Sequence, residues 1–129
     1  MKKYFLDSNI YLRFILKDDP GLSSKARQYF LDAKNGKSKL FLTSEALIEI
    51  NYVLQKVYSV DKKEIIRHLS ALVRAPYFEV VERSLLAKAV RLYEKTPIDF
   101  VDCLLFARAK SQGGEVLTFD QDFKRLEKA

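Results

Sequence analysis

Four short runs rich in β-branched and aromatic residues, at positions 4–6, 40–43, 78–81 and 116–119, punctuate the chain. Between them, apolar residues recur every three or four positions, the period of a helix with one buried face. Strands alternating with helices in this way predict an α/β protein built on a parallel sheet with right-handed crossovers. The reading is therefore of four strands.

After the first run, Ile10, Tyr11, Phe14 and Ile15 share one helical face, and Asp18-Asp19-Pro20-Gly21 breaks the helix. A second helix is expected over about 23–33, with Ala26, Phe30 and Ala33 inward and Asn35-Gly36 as its stop. Ser44 can cap a third, in which Leu47, Ile50, Leu54 and Val57 keep helical rhythm while Glu45 and Glu49 lie on another stripe. Asp61 with Glu64 makes a capping-box-like start for a helix carrying Ile65, Leu69, Leu72 and Val73. Leu85, Leu86, Ala89, Val90 and Tyr93 define the next, closed before Pro97. Asp99 then opens a last long helix that ends at Gly113-Gly114. No linker, repeat or low-complexity tract interrupts the pattern, so residues 1–129 read as a single domain.

Composition narrows the class. Hydrophobic residues make up 48% and charged residues 31%, a globular balance. No apolar run approaches the roughly 18 residues that span a bilayer, and no membrane partner is expected. Lys2 and Lys3 are followed too soon by Asp7 and Asn9 for a secretory segment, and a lone cysteine, Cys103, closes no internal disulfide. A reduced, cytoplasmic setting is the expectation. Lys and Arg number 23 against 17 acids, a net charge of +6, so the outer field favours polyanions such as nucleic acid.

The acids are placed less evenly than the bases. Asp7 ends the first run, Asp120 and Asp122 follow the last, and ligand sites of open α/β sheets lie beyond the carboxyl ends of strands. If those two strands were neighbours in the sheet, Asp7 and Asp120 would face the same volume and repel, which calls for a raised pKa or a cation. Glu49 stands between Ile48 and Ile50, and Asp99 and Asp102 share a helix face at i, i+3. Singly, each has an ordinary alternative: an Asp at a helix start caps it, and a first-turn Glu complements its dipole. Asp102 fits that reading least. It sits among Val101, Cys103, Leu104 and Leu105, with no base at helical spacing before Arg108. Oxygen donors alone select hard cations, Mg²⁺ or Mn²⁺, and the single histidine, His68, builds no zinc site and supports no serine triad. There is no glycine-rich phosphate loop.

In this order, Phe5-Leu6-Asp7-Ser8-Asn9, Ile48-Glu49-Ile50-Asn51-Tyr52-Val53-Leu54, Asp99-Phe100-Val101-Asp102 and Thr118-Phe119-Asp120-Gln121-Asp122-Phe123 resemble the motifs of the PIN-domain ribonucleases. The likeness is greatest to the small VapC-type toxins of toxin–antitoxin pairs and covers nearly the whole chain. It implies a three-layer α/β/α sandwich on a parallel sheet of four strands, or five if the family's closing edge strand is present. It also implies metal-dependent RNA cleavage at an acidic core of Asp7, Glu49, Asp102 and Asp120, supported by Asn9, Asp99, Thr118 and Asp122.

RNA then needs cations around those acids, and Arg13, Lys17, Arg108 and Lys110 lie nearest the motifs, with Tyr11 and Phe100 as stacking candidates, although core packing is the commoner fate of both. A cognate antitoxin protein and a homodimer are the expected partners. Two other classes stay open on the residues themselves: a noncatalytic α/β interaction module whose acids only cap helices, and a structure-specific DNA nuclease of similar fold.

Overall fold

In the computed structural model, which describes residues 1–129, the first apolar run becomes strand β1 (Lys2–Phe5), followed by α1 (Ser8–Leu16), α2 (Pro20–Lys34) and β2 (Ser38–Leu42). Helix α3 (Ser44–Tyr52) runs into a π-helical turn (Val53–Val57), and α4 (Lys62–Arg74), β3 (Phe78–Val80), α5 (Arg83–Lys95), α6 (Phe100–Ser111) and α7 (Asp122–Lys128) complete the order. The chain gathers into two compact units, residues 1–59 with 75–81, and residues 60–74 with 82–129.

The first unit is the sheet and its helices. Its strands lie in the order β1-β2-β3, all parallel, with Phe5 opposite Phe41 and Leu40 opposite Phe78. Period-two alternation sends Leu40 and Leu42 inward and Lys39 outward, as one buried face requires. Leu42, Leu47 and Ile50 are fully buried, each contributing about 1.5–3 kcal/mol by leaving water. Phe30 on α2 anchors this core edge-on to Phe14, at 4.9 Å between ring centres, and lies 5.8 Å from Phe78.

Two boundaries in this unit differ from expectation, each for a local reason. Helix α2 starts at Pro20 and not near Ser23, because the Asp19 carboxylate accepts the Leu22 amide at 3.1 Å and Pro at the first position already has helical φ. Thr43, not Ser44, caps α3, since the Ser44 hydroxyl is turned to the Glu45 carboxylate at 2.8 Å. Where the helix widens, the Tyr58 amide reaches back five residues to the Val53 carbonyl. That extra residue per turn rotates Val57 out of the apolar stripe, and it is 63% exposed.

The second unit is helical. Ile65, Leu69 and Val73 of α4, Leu86, Ala89, Val90 and Tyr93 of α5 and Phe100, Cys103, Leu104 and Ala107 of α6 are buried. Tyr93 and Phe100 meet at 5.6 Å, and the Lys62 ammonium sits 4.6 Å over the Tyr93 ring. Helix α6 ends as read, with Gly113 at φ +71 and the Gly114 amide on the Ala109 carbonyl at 2.8 Å.

The fourth strand is absent, so the sheet has three strands and not four. Residues 116–119 are irregular, with Leu117 and Phe119 fully exposed. Their backbone finds no strand partner; the Thr118 hydroxyl instead accepts the Asp120 amide, and the Asp120 carboxylate accepts the Asp122 amide, both at 2.9 Å. These bonds bend the chain into α7, and residues 1–129 hold three strands. The condition for Asp7 and Asp120 to end neighbouring strands is therefore not met. No helix is long and apolar enough to cross a membrane.

Candidate acidic site

The ordinary reading of the aspartates makes a prediction that can be checked: an N-cap carboxylate should accept an amide from its helix. Asp7 occupies the N-cap of α1 in extended geometry, yet its side chain makes no cap bond; only its carbonyl accepts, from the Ile10 amide at 3.0 Å. Asp99 stands likewise before α6, with its carbonyl on the Cys103 amide and its side chain unbonded. By contrast Asp19 and Thr43 do cap their helices. Capping thus explains neither Asp7 nor Asp99.

In the first unit, Asp7, Asn9 and Glu49 are all exposed. Asp7 and Asn9 are held together by the first turn of α1, and Glu49 projects from α3 one turn beyond Glu45. Asn51, two positions on, is buried, and its Oδ1 has no partner. Its signal in the sequence is an amide within the apolar stretch Ile48, Ile50, Val53, Leu54.

In the second unit, the field is sharper. Asp102 is half-buried in the first turn of α6, and its carboxyl is held above the usual carboxylate range by burial first, then by the negative charges of Asp120, Asp99 and Asp122. No base answers it. Arg108 donates from Nη1 to both Glu82 carboxylate oxygens at 2.8–2.9 Å, and Lys110 pairs with Glu127 at 2.7 Å. Thr118 supports Asp120 through its hydroxyl, and Asp122 supports it through its amide.

Four carboxylates sharing one field without a counter-charge have the chemistry of a hard-cation site. The donors fit that cation in kind. In neither unit are three or more such side chains drawn close enough to hold it. His68, on α4, has its pKa lowered, chiefly by burial, and none of these acids is among the causes of its shift.

The cations expected to meet RNA differ in how they are engaged. Arg13 donates from Nη1 to both oxygens of Asp18 at 2.8 Å, so with Arg108 and Lys110 it already has a carboxylate partner. Only Lys17 of the four is unpaired, exposed at the left-handed residue that ends α1. Tyr11 and Phe100 are 7% and 0% exposed, core residues and not stacking platforms.

Comparison with known proteins adds an independent line. The sequence matches the PIN domain over residues 4–129. It is 29% identical over 122 residues to a protein of Aquifex aeolicus (strain VF5) named VapC ribonuclease, spanning 94% of this chain and 90% of that one. No solved structure matches it significantly. The matched span takes in Asp7, Glu49, Asp102 and Asp120, together with the parallel sheet and its helices. The chain belongs to the PIN-domain family.

Proposed function

We propose that this protein is a divalent-metal-dependent endoribonuclease, hydrolysing RNA phosphodiester bonds as the toxin of a toxin–antitoxin pair, with residues 1–129 acting as one nuclease domain. The observation that carries the reading is Asp102, a half-buried carboxylate facing three other acids with no base beside it. A fold gains nothing from that arrangement, whereas a cation-dependent site requires it.

The reading assigns metal binding to Asp102 and Asp120 in the second unit and to Asp7 and Glu49 in the first. Mg²⁺ is the expected ion and Mn²⁺ its substitute. When bound, such a cation would offset phosphate charge and make a bound water acidic enough to attack in line. The chain's own part is to hold the acids in place. Thr118 and Asp122 fix the Asp120 turn, and Asp99 and Asn9 add oxygens beside Asp102 and Asp7. The partners are RNA, an antitoxin protein and a second copy of the chain, met in the cytoplasm.

The test is cleavage of end-labelled RNA with Mg²⁺ or Mn²⁺ against an EDTA control. Asp7→Asn and Asp102→Asn should each abolish cleavage with the fold retained. Full activity in folded Asp102→Asn protein overturns the assignment.

One observation favours the noncatalytic interaction module instead: no three metal-binding side chains are gathered in either unit. A melting temperature indifferent to Mn²⁺, with no cleavage of RNA, would decide for it.

A further inference from the structure

The acids of the proposed site repel RNA, and of the four cations expected to meet it Arg13, Arg108 and Lys110 are already paired. Phosphate affinity must then come from bases that are still free and have somewhere to hold an anion. One place in the second unit meets both conditions. Helices α4 and α5 leave a small notch of about 70 Å³. Its floor is Val73 and Val90, both buried, and its rim carries Ser70, Arg74, Arg91 and Glu94.

Neither Arg74 nor Arg91 has an ion pair or side-chain hydrogen bond, whereas Arg67 pairs with Glu64, Arg83 donates to the Val73 carbonyl and Arg108 pairs with Glu82. Two guanidinium groups against one rim carboxylate leave the notch net positive. Each guanidinium presents a planar fork matched to two phosphate oxygens, and the half-buried Ser70 hydroxyl is a third donor. An apolar floor keeps water from one side of those bonds and strengthens them.

We propose that this notch grips a backbone phosphate of the RNA, a contact made on α4 and α5 apart from the carboxylates. The proposal rests on the nuclease reading above and extends it. The net charge of +6 and the free guanidinium groups suit a polyanion, and the nuclease reading makes that polyanion RNA and not an acidic peptide.

The experiment is fluorescence anisotropy of a short fluorescein-labelled single-stranded RNA in EDTA, so that binding is read without cleavage, titrated over salt. Arg74→Ala/Arg91→Ala is compared with Lys25→Ala/Arg27→Ala, which removes the same charge from exposed positions on α2. The notch pair should weaken binding about tenfold and flatten the salt dependence by about 0.7 in log–log slope, the effect of one single-strand phosphate contact. The control should change affinity less than about twofold. Arg74→Lys/Arg91→Lys should recover the slope without the full affinity, because it restores charge but not the fork. Arg74→Gln/Arg91→Gln serves if the alanine pair fails to fold.

Equal loss in the notch and control pairs overturns the proposal. So does loss of polyglutamate binding alone with RNA binding intact, which makes the notch a peptide site. Binding that depends on the notch in a protein that never cleaves RNA with Mn²⁺ sinks the nuclease reading and leaves the phosphate contact standing. Cleavage by wild type with binding indifferent to the notch does the reverse, and wild type that binds no RNA sinks both.

Discussion

Asp102→Asn removes one negative charge at nearly unchanged volume, and its effect on stability should change sign with metal. Without metal, Asp102 faces Asp99, Asp120 and Asp122 and is also penalised by burial. A pair of like charges about 6 Å apart repels by about 0.7 kcal/mol in water. Solvent still reaches much of the Asp102 side chain, so the summed relief is discounted to about 0.5 kcal/mol. For a chain of this size that is a rise of about 2 °C in melting temperature. The sign in pH follows from the raised pKa: the folded state binds the proton more tightly than the unfolded one. Wild-type stability therefore falls as pH rises from the ordinary carboxylate pKa through the raised folded value. The advantage of the variant is full near pH 7 and vanishes below about pH 4. With Mn²⁺ at about a hundred times its dissociation constant, wild type should gain about 2.7 kcal/mol, and the variant much less. Thermal melts at low ionic strength, with EDTA and then with Mn²⁺, read both halves. A variant less stable than wild type in EDTA would refute the reasoning, because Asp102 would then be making a stabilising contact.

The two caps separate structure from function: Asp19→Ala should cost about 1 kcal/mol in urea denaturation through the lost Leu22 amide bond. Asp7→Ala, which breaks no cap bond, should stay within about 0.5 kcal/mol of wild type yet lose RNA cleavage; a larger loss of stability would return Asp7 to a structural role. Cys103 is fully buried, its thiol pushed up to about 11 mainly by burial, so a disulfide reagent at pH 8 should label it only after denaturation. Stoichiometric labelling of the native protein would contradict that burial. Leu47→Ala, at a position with no exposure, should cost about 2–5 kcal/mol while the folded fraction keeps its cleavage rate per molecule; a change below about 1 kcal/mol would show that the core repacks there.

What could be read from the chain in advance, and what could not, divides by how far away the deciding partner lies. Periodicity placed Ile65, Leu69 and Val73 in a buried face because a helix makes its own hydrogen bonds. It located three strands and failed at 116–119, since alternation reports what a segment could bury, while a strand exists only if another edge pairs with it. Leu117 and Phe119 have the pattern without the edge. The pairing of the cations was hidden for the same reason: the partners of Arg108 and Lys110 are Glu82 and Glu127, far away in sequence, so proximity to a motif does not tell whether a charge is free. The acids behaved differently because the question about them was local. Aspartate is favoured at an N-cap and needed at a metal site, so residue type cannot choose between the two uses. One amide bond to the carboxylate identifies the first use. Asp19 has that bond and Asp7 and Asp99 do not. With Asp102 left ionisable against three like charges, the chain keeps negative charge free at a small cost to its own stability. On the metal-dependent reading proposed for this protein, a bound cation would repay that cost.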